Sequence, residues 1–205
     1  MAKSSQLNAM RQRIASHAAR LIAVDGINDF GLAKRKAAKQ LGAPSTEALP
    51  NNEEIERELR AYHDLYQQRE HNERLSFLRE RALEVMHLLE RFNPYLTGPV
   101  LKGTAARYSG IDLQLFTDDT KEVELFLINQ HLSYKAVGRH YSRGSNQPQP
   151  LAVLEVDFDH VIVHLYIFHR GDERIVLKNP RDGSNVERAK TSVVTTFVTK
   201  SSKAQ

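Results

Sequence analysis

Between Gly98 and Leu115 the chain reads Gly-Pro-Val-Leu-Lys-Gly-Thr-Ala-Ala-Arg-Tyr-Ser-Gly-Ile-Asp-Leu-Gln-Leu. Glycines at 98 and 103 allow backbone N–H groups to come close to an anion. Lys102 and Arg107 add positive charge, and Thr104 and Ser109 add hydroxyls. Asp112 then falls in an alternation of Ile111, Leu113 and Leu115 against Asp112 and Gln114, which predicts a strand over 110–116. Residues of these types in this order suit a phosphate-handling turn followed by a carboxylate on a strand. A plainer reading uses the same residues: an ordinary turn after Pro94-Tyr95 and a strand carboxylate facing water.

The segment resembles the signature of the nucleotidyltransferase superfamily, in which Gly-Ser is followed by a basic residue, Gly and a small residue, then by Ser-Asp-x-Asp-Leu on a strand. Gly98 stands for the leading glycine, Lys102-Gly103 for the basic-glycine pair and Ala105 for the small residue. Ser109, Ile111, Asp112 and Leu113 follow in register without a gap. The resemblance implies that the turn Gly98–Thr104 holds the phosphates of a nucleoside triphosphate, with Lys102, Gly103, Thr104, Arg107 and Ser109 as nucleotide-binding residues. It makes Asp112 the catalytic and metal-binding carboxylate, with magnesium as the cofactor of an active site. Two positions depart from the pattern. Pro99 replaces the serine and offers neither an N–H nor a hydroxyl. Gly110 replaces the first carboxylate of the pair, and Gln114, on the face of Asp112, is a poor ligand for a hard cation.

The family's third carboxylate comes from a neighbouring strand. Glu155, Asp157 and Asp159 are candidates, and His164 stands at the inward position of the next strand. Nine histidines form no HExxH pattern; His160, His164 and His169 lie near one predicted hairpin. No Walker loop, nucleophile elbow or dinucleotide fingerprint is present.

The elements that must position these residues divide in character near Asn93. Helices are expected over about 7–24, over 29–41 with Asp29 as N-cap, from Asn52 as cap of a third, and over about 73–91. Ser45–Pro50 is expected as a loop. After Tyr95, a helix capped by Asp118 or Asp119 runs to about Gln130, with Glu122 placed for a capping box. Ser142–Pro150 reads as a polar loop. Leu151–Asp157 and Val161–His169 read as paired strands, Arg174–Leu177 as a short strand and Pro180–Gly183 as a turn. Asn185–Val198 suits helix or strand. The fold class expected is α+β: a helical region over 1–93, a nucleotidyltransferase-like mixed sheet with flanking helices over 94–199, and a disordered tail over 200–205.

The 205 residues are 40% hydrophobic and 26% charged, so a conventional core is expected. Cysteine is absent, which excludes disulfides and thiolate metal sites. No apolar run approaches the roughly 18 residues of a membrane helix, and Met1–Arg13 lacks the apolar core of a secretory signal. A cytoplasmic protein without a membrane partner is expected. The net charge of +4 permits nucleotide or RNA partners. The basic run Lys34, Arg35, Lys36 and Lys39 could touch nucleic-acid phosphates, but a solvated helix face is the simpler account. The expected function is a nucleotidyltransferase-fold protein with a degenerate site, binding nucleotide or RNA with weak or no turnover. The alternative is an active enzyme moving a nucleoside monophosphate from a triphosphate to a hydroxyl. A third reading, a helix-turn-helix regulator, is suggested by the helices over Arg13–Gly42, although the acidic start of the next helix suits DNA poorly.

Overall fold

A computed structural model describes residues 2–27, 29–43, 48–66, 68–142, 148–177 and 185–202. The turn expected at Pro180–Gly183, half of the loop expected at Ser45–Pro50 and residues 143–147 of the loop expected at Ser142–Pro150 lie outside them; Ser142 and Pro148 to Pro150, expected in that loop, are strand residues. The chain forms two compact units. One comprises Met1–Arg74 with Gly103–Ser109; the other comprises Leu75–Lys102 with Gly110–Gln205.

The first unit is helical. It contains α1 (Ala2–Asp25), α2 (Phe30–Gln40), α3 (Asn52–Tyr66) and the first turns of α4 (Gln68–Leu88). Its core is rich in alanine: Ala15, Ala18, Ala19, Ala33, Ala37 and Ala38 surround Ile14, Ile22, Ile55 and Leu59. Small side chains let the helix backbones approach closely, and the helical spacing of the larger ones gives α1 and α3 continuous apolar stripes. Asp29 caps α2 as expected, its carboxylate accepting from Leu32 N. The cap of α3 is Asn51 rather than Asn52. Asn51 Oδ1 accepts from Glu54 N at 2.8 Å, and Asn51 N donates to Glu54 Oε2 at 2.7 Å. This is a reciprocal capping box, and it decides the start because only Asn51 has an acid three residues on that closes the loop. The basic run of α2 is partly engaged: Lys34 Nζ donates to Pro50 O at 3.2 Å, and Lys36 pairs with Asp25 at 3.2 Å.

The second unit is a six-stranded mixed sheet with helices, so the α+β class expected from the sequence is the one observed. After α4 and a 3₁₀ turn (Glu90–Phe92) come β1 (Tyr95–Thr97), α5 (Gly98–Lys102), β2 (Ile111–Phe116) and α6 (Thr120–Asn129). Then follow β3 (Tyr134–Ser142), β4 (Pro148–Phe158), β5 (Val161–Phe168), a second 3₁₀ turn (Arg170–Arg174), β6 (Arg188–Lys190) and α7 (Thr191–Ser202). The strand order is β3-β4-β5-β2-β1-β6. Every neighbouring pair is antiparallel except β2 and β5, which are parallel.

Alternation gives the sheet two unlike faces. Leu96, Leu113, Leu165 and Leu154 form one row across four strands, with Ile111, Val163 and Val156 beside it, and all seven are buried. Leu78, Ala82, Val85 and Met86 of α4, Leu89 just after it, Val100 of α5, Val123 and Leu127 of α6 and Val194 of α7 are buried in the same unit. The opposite face carries Asp112, Gln114, Glu155, His164 and Tyr166.

Local chemistry explains where the elements differ from expectation. Asp119 caps α6, but Glu122 accepts the Thr117 hydroxyl at 3.1 Å instead of closing a capping box. The stretch expected as a strand at Arg174–Leu177 follows a 3₁₀ turn and touches its neighbour through Leu177 O and Val186 N. The undecided segment at 185–198 is a three-residue strand followed by a helix that reaches Ser202. Thr195, Thr196 and Thr199 donate their hydroxyls to carbonyls four residues back, so these polar groups find partners within the helix itself. The first residues of the expected tail are therefore in α7. Strand β3 was not anticipated at all.

Leu113 is fully buried in the central row. Leu113→Ala is expected to lower stability by about 2–5 kcal/mol, read as a lower urea midpoint with unchanged slope. Asn51→Ala should cost about 1 kcal/mol by losing the α3 cap, read the same way.

Candidate functional site

The polar face is built on one register line. Lys135 of β3 lies opposite Glu155 of β4, Glu155 opposite His164 of β5, and His164 opposite Asp112 of β2. Asp112 in turn faces Thr97 of β1, and Thr97 faces Arg188 of β6. Residues directly paired across strands project to the same side, so this line gathers chemistry from six separate elements.

Asp112 is its centre. Its Oδ1 accepts a hydrogen bond from His164 Nδ1 at 3.0 Å and a long one from the Tyr166 hydroxyl at 3.5 Å. A carboxylate only accepts, so the Nδ1 of His164 carries a proton and the ring orientation is fixed. The other ring nitrogen, Nε2, lies 3.8 Å from Glu155 Oε2, within ion-pair range and beyond a hydrogen bond. Asp112 and His164 keep about a fifth of their side-chain surface exposed, 21% and 22%, so a ligand can reach them. Gln114 is buried, and its Oε1 has no hydrogen-bond partner among the described residues.

Gly98 follows β1 at φ +71°, in the left-handed region that favours glycine. A Cβ there would fall on the Asp112 carboxylate. The glycine thus makes the space that Asp112 occupies. Beyond it the expected turn is the single helical turn α5, with Pro99 at its start. Arg79 Nε donates to Val100 O at 3.3 Å, and burial holds the Arg79 guanidinium below its ordinary pKa.

Gly110 has a different reason to be glycine. A Cβ at this position would stand 2.6 Å from the backbone oxygen of Ile162 on β5. The first carboxylate of the family pattern therefore meets a closed backbone at this position, and Gly110→Asp does not simply restore it.

The sequence-predicted residues are divided between the units. Gly98, Lys102 and Asp112 belong to the sheet unit, and Gly103, Thr104, Arg107 and Ser109 to the helical one. Gly98 and Asp112 are brought together. Lys102 is half-buried in α5. Gly103, at φ +72°, offers its carbonyl to His71 Nε2 at 3.1 Å. Thr104 and Ser109 are buried, and Ser109 Oγ accepts from Ala106 N at 2.9 Å, which closes the turn before β2. Arg107 is exposed, its guanidinium 5.7 Å from the Tyr108 ring centroid.

Among the acids considered as partners, Glu155 lies on the line with Asp112, and Asp157 accepts from His160 N at 2.9 Å. Asp159 is in the β4–β5 turn, at φ +48°, and is paired with Arg81 at 3.3 Å. His160 is in the same turn at φ +65°, so it does not share a strand face with His164. His169 caps the second 3₁₀ turn and reaches Asp118 at 3.0 Å. Among the described residues, no group of three or more His, Asp or Glu side chains is arranged to hold one metal ion. No helix among them is long and apolar enough to cross a membrane.

The residues that sequence reasoning missed are Tyr166, Thr97 and the group around Tyr95. Tyr95 donates its hydroxyl to Glu173 Oε1 at 2.8 Å, and Arg188 lies 4.9 Å over its ring. Arg188 also donates to the Glu173 carbonyl. Phe116, Phe168, Leu151 and Leu177 pack around Tyr95 and close one end of the polar face. Only the period-two pattern could have marked these positions; their meeting depends on strand register. Comparison with protein-family models, with curated proteins and with solved structures finds no match to this chain.

Burial first, and then the hydrogen bond and charge of Glu173, raise the Tyr95 pKa. A group with a raised folded pKa stabilises fully below its unfolded value, about 10 for tyrosine, and loses that contribution as pH climbs through the folded value. Urea midpoints measured from pH 8 to 11 should therefore fall above about pH 10, and fall less in Tyr95→Phe. Separately, Gly110→Ala should cost about 1–3 kcal/mol, because the β2–β5 backbones must part to admit a methyl group.

Proposed function

We propose that this chain is a nucleotidyltransferase-like protein with a degenerate site, which binds nucleotide or RNA with weak or no turnover. The observation that carries the reading is the approach of Asp112 to Gly98. The carboxylate that the signature resemblance selects lies against the glycine that it also selects, on antiparallel strands joined through α5. A third strand, β5, runs parallel to β2 and sets His164 directly opposite Asp112, at the position where a neighbouring strand would bring the third acid.

The same geometry argues against conventional turnover. Phosphoryl transfer of this kind depends on metal ions held by convergent oxygen ligands. Asp112, His164 and Glu155 instead form a chain, with an imidazole between two carboxylates. Magnesium prefers an octahedral set of oxygens at short range, so this donor set does not fit it. Position 110 has no room for the missing acid, and Pro99 removes an N–H and a hydroxyl from the turn. What the sheet unit retains is Lys102 of α5, which follows Gly98, and a polar row, about a fifth exposed at Asp112 and His164, able to hydrogen-bond a base or sugar.

The test is calorimetric titration with ATP, GTP, CTP, UTP and a ten-nucleotide RNA, with and without magnesium, alongside an assay for released pyrophosphate. At least one of these should bind with an affinity that magnesium leaves unchanged, and pyrophosphate should stay at background. Lys102→Ala should weaken that binding about tenfold, the loss of one charge-assisted hydrogen bond. Magnesium-dependent pyrophosphate release that disappears in Asp112→Ala would overturn the proposal in favour of an active enzyme. Absence of binding by every nucleotide and the RNA would overturn it outright.

A further inference from the structure

The helical unit carries an open groove of about 570 Å³ lined by Arg13, Ser16, His17 and Arg20 of α1, with Leu41 after α2 and Tyr62 of α3. Its volume falls within the range that takes a drug-sized ligand. The spacing of the α1 residues is systematic. Positions 13, 16, 17 and 20 follow the i, i+3, i+4, i+7 pattern, so they form one stripe, and the two arginines stand two turns and about 10.5 Å apart along the helix. No acid is among the described residues that line it. Neither arginine has an ion-pair or hydrogen-bond partner among the described residues, in contrast to Arg11, two residues before Arg13 on another face, which is paired with Glu54 at 3.0 Å. His17 sits between them, its Nε2 within hydrogen-bond distance of the Gln40 side-chain amide, 2.7 Å from Oε1.

The groove is chemically two-sided. Guanidinium, imidazole and hydroxyl groups line the α1 side, and Leu41 with the half-buried ring of Tyr62 lines the other. Arginine forks match the oxygens of phosphate, and an aromatic ring beside them offers a flat surface for a planar body. Two uncompensated arginines facing one space also repel each other and favour an anion between them.

We propose that this groove is a binding site for a phosphate monoester carrying a planar body, the chemistry of a nucleoside monophosphate. Arg13 and Arg20 hold the phosphate, Ser16 and His17 contribute further polar contacts, and Tyr62 and Leu41 contact the planar part. The site belongs wholly to the helical unit and does not rest on the function proposed for Asp112 and its surroundings.

The experiment titrates the full chain with AMP, adenosine, inorganic phosphate and benzoate by calorimetry, and follows the histidine ring resonances by NMR. AMP should bind and shift the His17 resonances, whether or not those of His164 move. Adenosine, phosphate and benzoate should each bind at least tenfold more weakly. Arg13→Gln and Arg20→Gln should each weaken AMP about tenfold, or about 1.4 kcal/mol. Both arginines are exposed, so circular dichroism and the melting midpoint should be unchanged in these variants. Asp112→Ala and Lys102→Ala should leave AMP binding at this site intact. The proposal is overturned if AMP fails to perturb His17, if the double variant Arg13→Gln/Arg20→Gln binds AMP like the parent, or if adenosine or benzoate binds as tightly as AMP. Loss of nucleotide binding in Lys102→Ala with His17 shifts preserved would bear on the sheet site alone.

Discussion

The carboxylate of Asp112 lies where the Cβ of any larger residue at position 98 would stand. That constraint organises the polar side of the sheet. Because Thr97 is the register partner of Asp112, the chain leaving β1 must turn at the next residue, directly beside the carboxylate. It does so with a positive φ that glycine adopts without strain. The carboxylate is then confined between this turn on one side and His164 Nδ1 on the other. Moving either strand by one residue would point Asp112 into the apolar layer, since side chains alternate across a sheet. The Gly98–Asp112 contact and the β2–β5 register are therefore two expressions of a single arrangement.

The stability of that arrangement comes from the opposite face. Leu96, Leu113, Leu165 and Leu154 are each essentially inaccessible and each lies one residue from the polar line. Burying one such side chain contributes about 1.5–3 kcal/mol. Partly exposed ion pairs of the kind made by Asp112, His164 and Glu155 contribute about 0–1 kcal/mol. The apolar row thus fixes the register, and the polar row inherits positions it does not itself secure. This separation lets the polar residues serve binding without being required for folding.

Much of this was legible in the sequence where the signal is local. The N-terminal helices with the Asp29 cap of α2, the strand through Asp112 and the β4–β5 hairpin all follow from period and turn residues within a few positions. Long-range pairing was not legible. Strand β3 escaped notice because it is an edge strand interrupted by Gly138, with Lys135, Ala136 and Gly138 all exposed, so neither face shows an apolar alternation. Strand β6 is three residues long and acquires its identity only by pairing with β1. The helix α7 is ambiguous in sequence because valine and threonine favour strands, and packing such as that of the fully buried Val194 overrides that weak preference. At the candidate site, the sequence marked Asp112 and placed His164 inward, but gave no means of knowing that the imidazole would stand between two carboxylates. Ser109, expected as a nucleotide contact, also closes a turn, a role that depends on a bond from Ala106 three residues earlier.

Gly110 shows how the loss of a functional group and the geometry of a fold can become one fact. A strand residue without a side chain allows its parallel neighbour to approach more closely, and Ile162 O occupies the space that a Cβ would need. On the proposed reading, the missing carboxylate is then not an isolated vacancy in an otherwise competent site. The β5 backbone has closed over the position, and the residue that β5 presents next on this face, His164, has become the hydrogen-bond partner of the acid that remains. Restoring one carboxylate by substitution would push apart the same two strands that hold Asp112 against Gly98. A site degenerate in this way is harder to reactivate than one lacking a single ligand, because the ligand position and the register that supports the surviving residue compete for the same space.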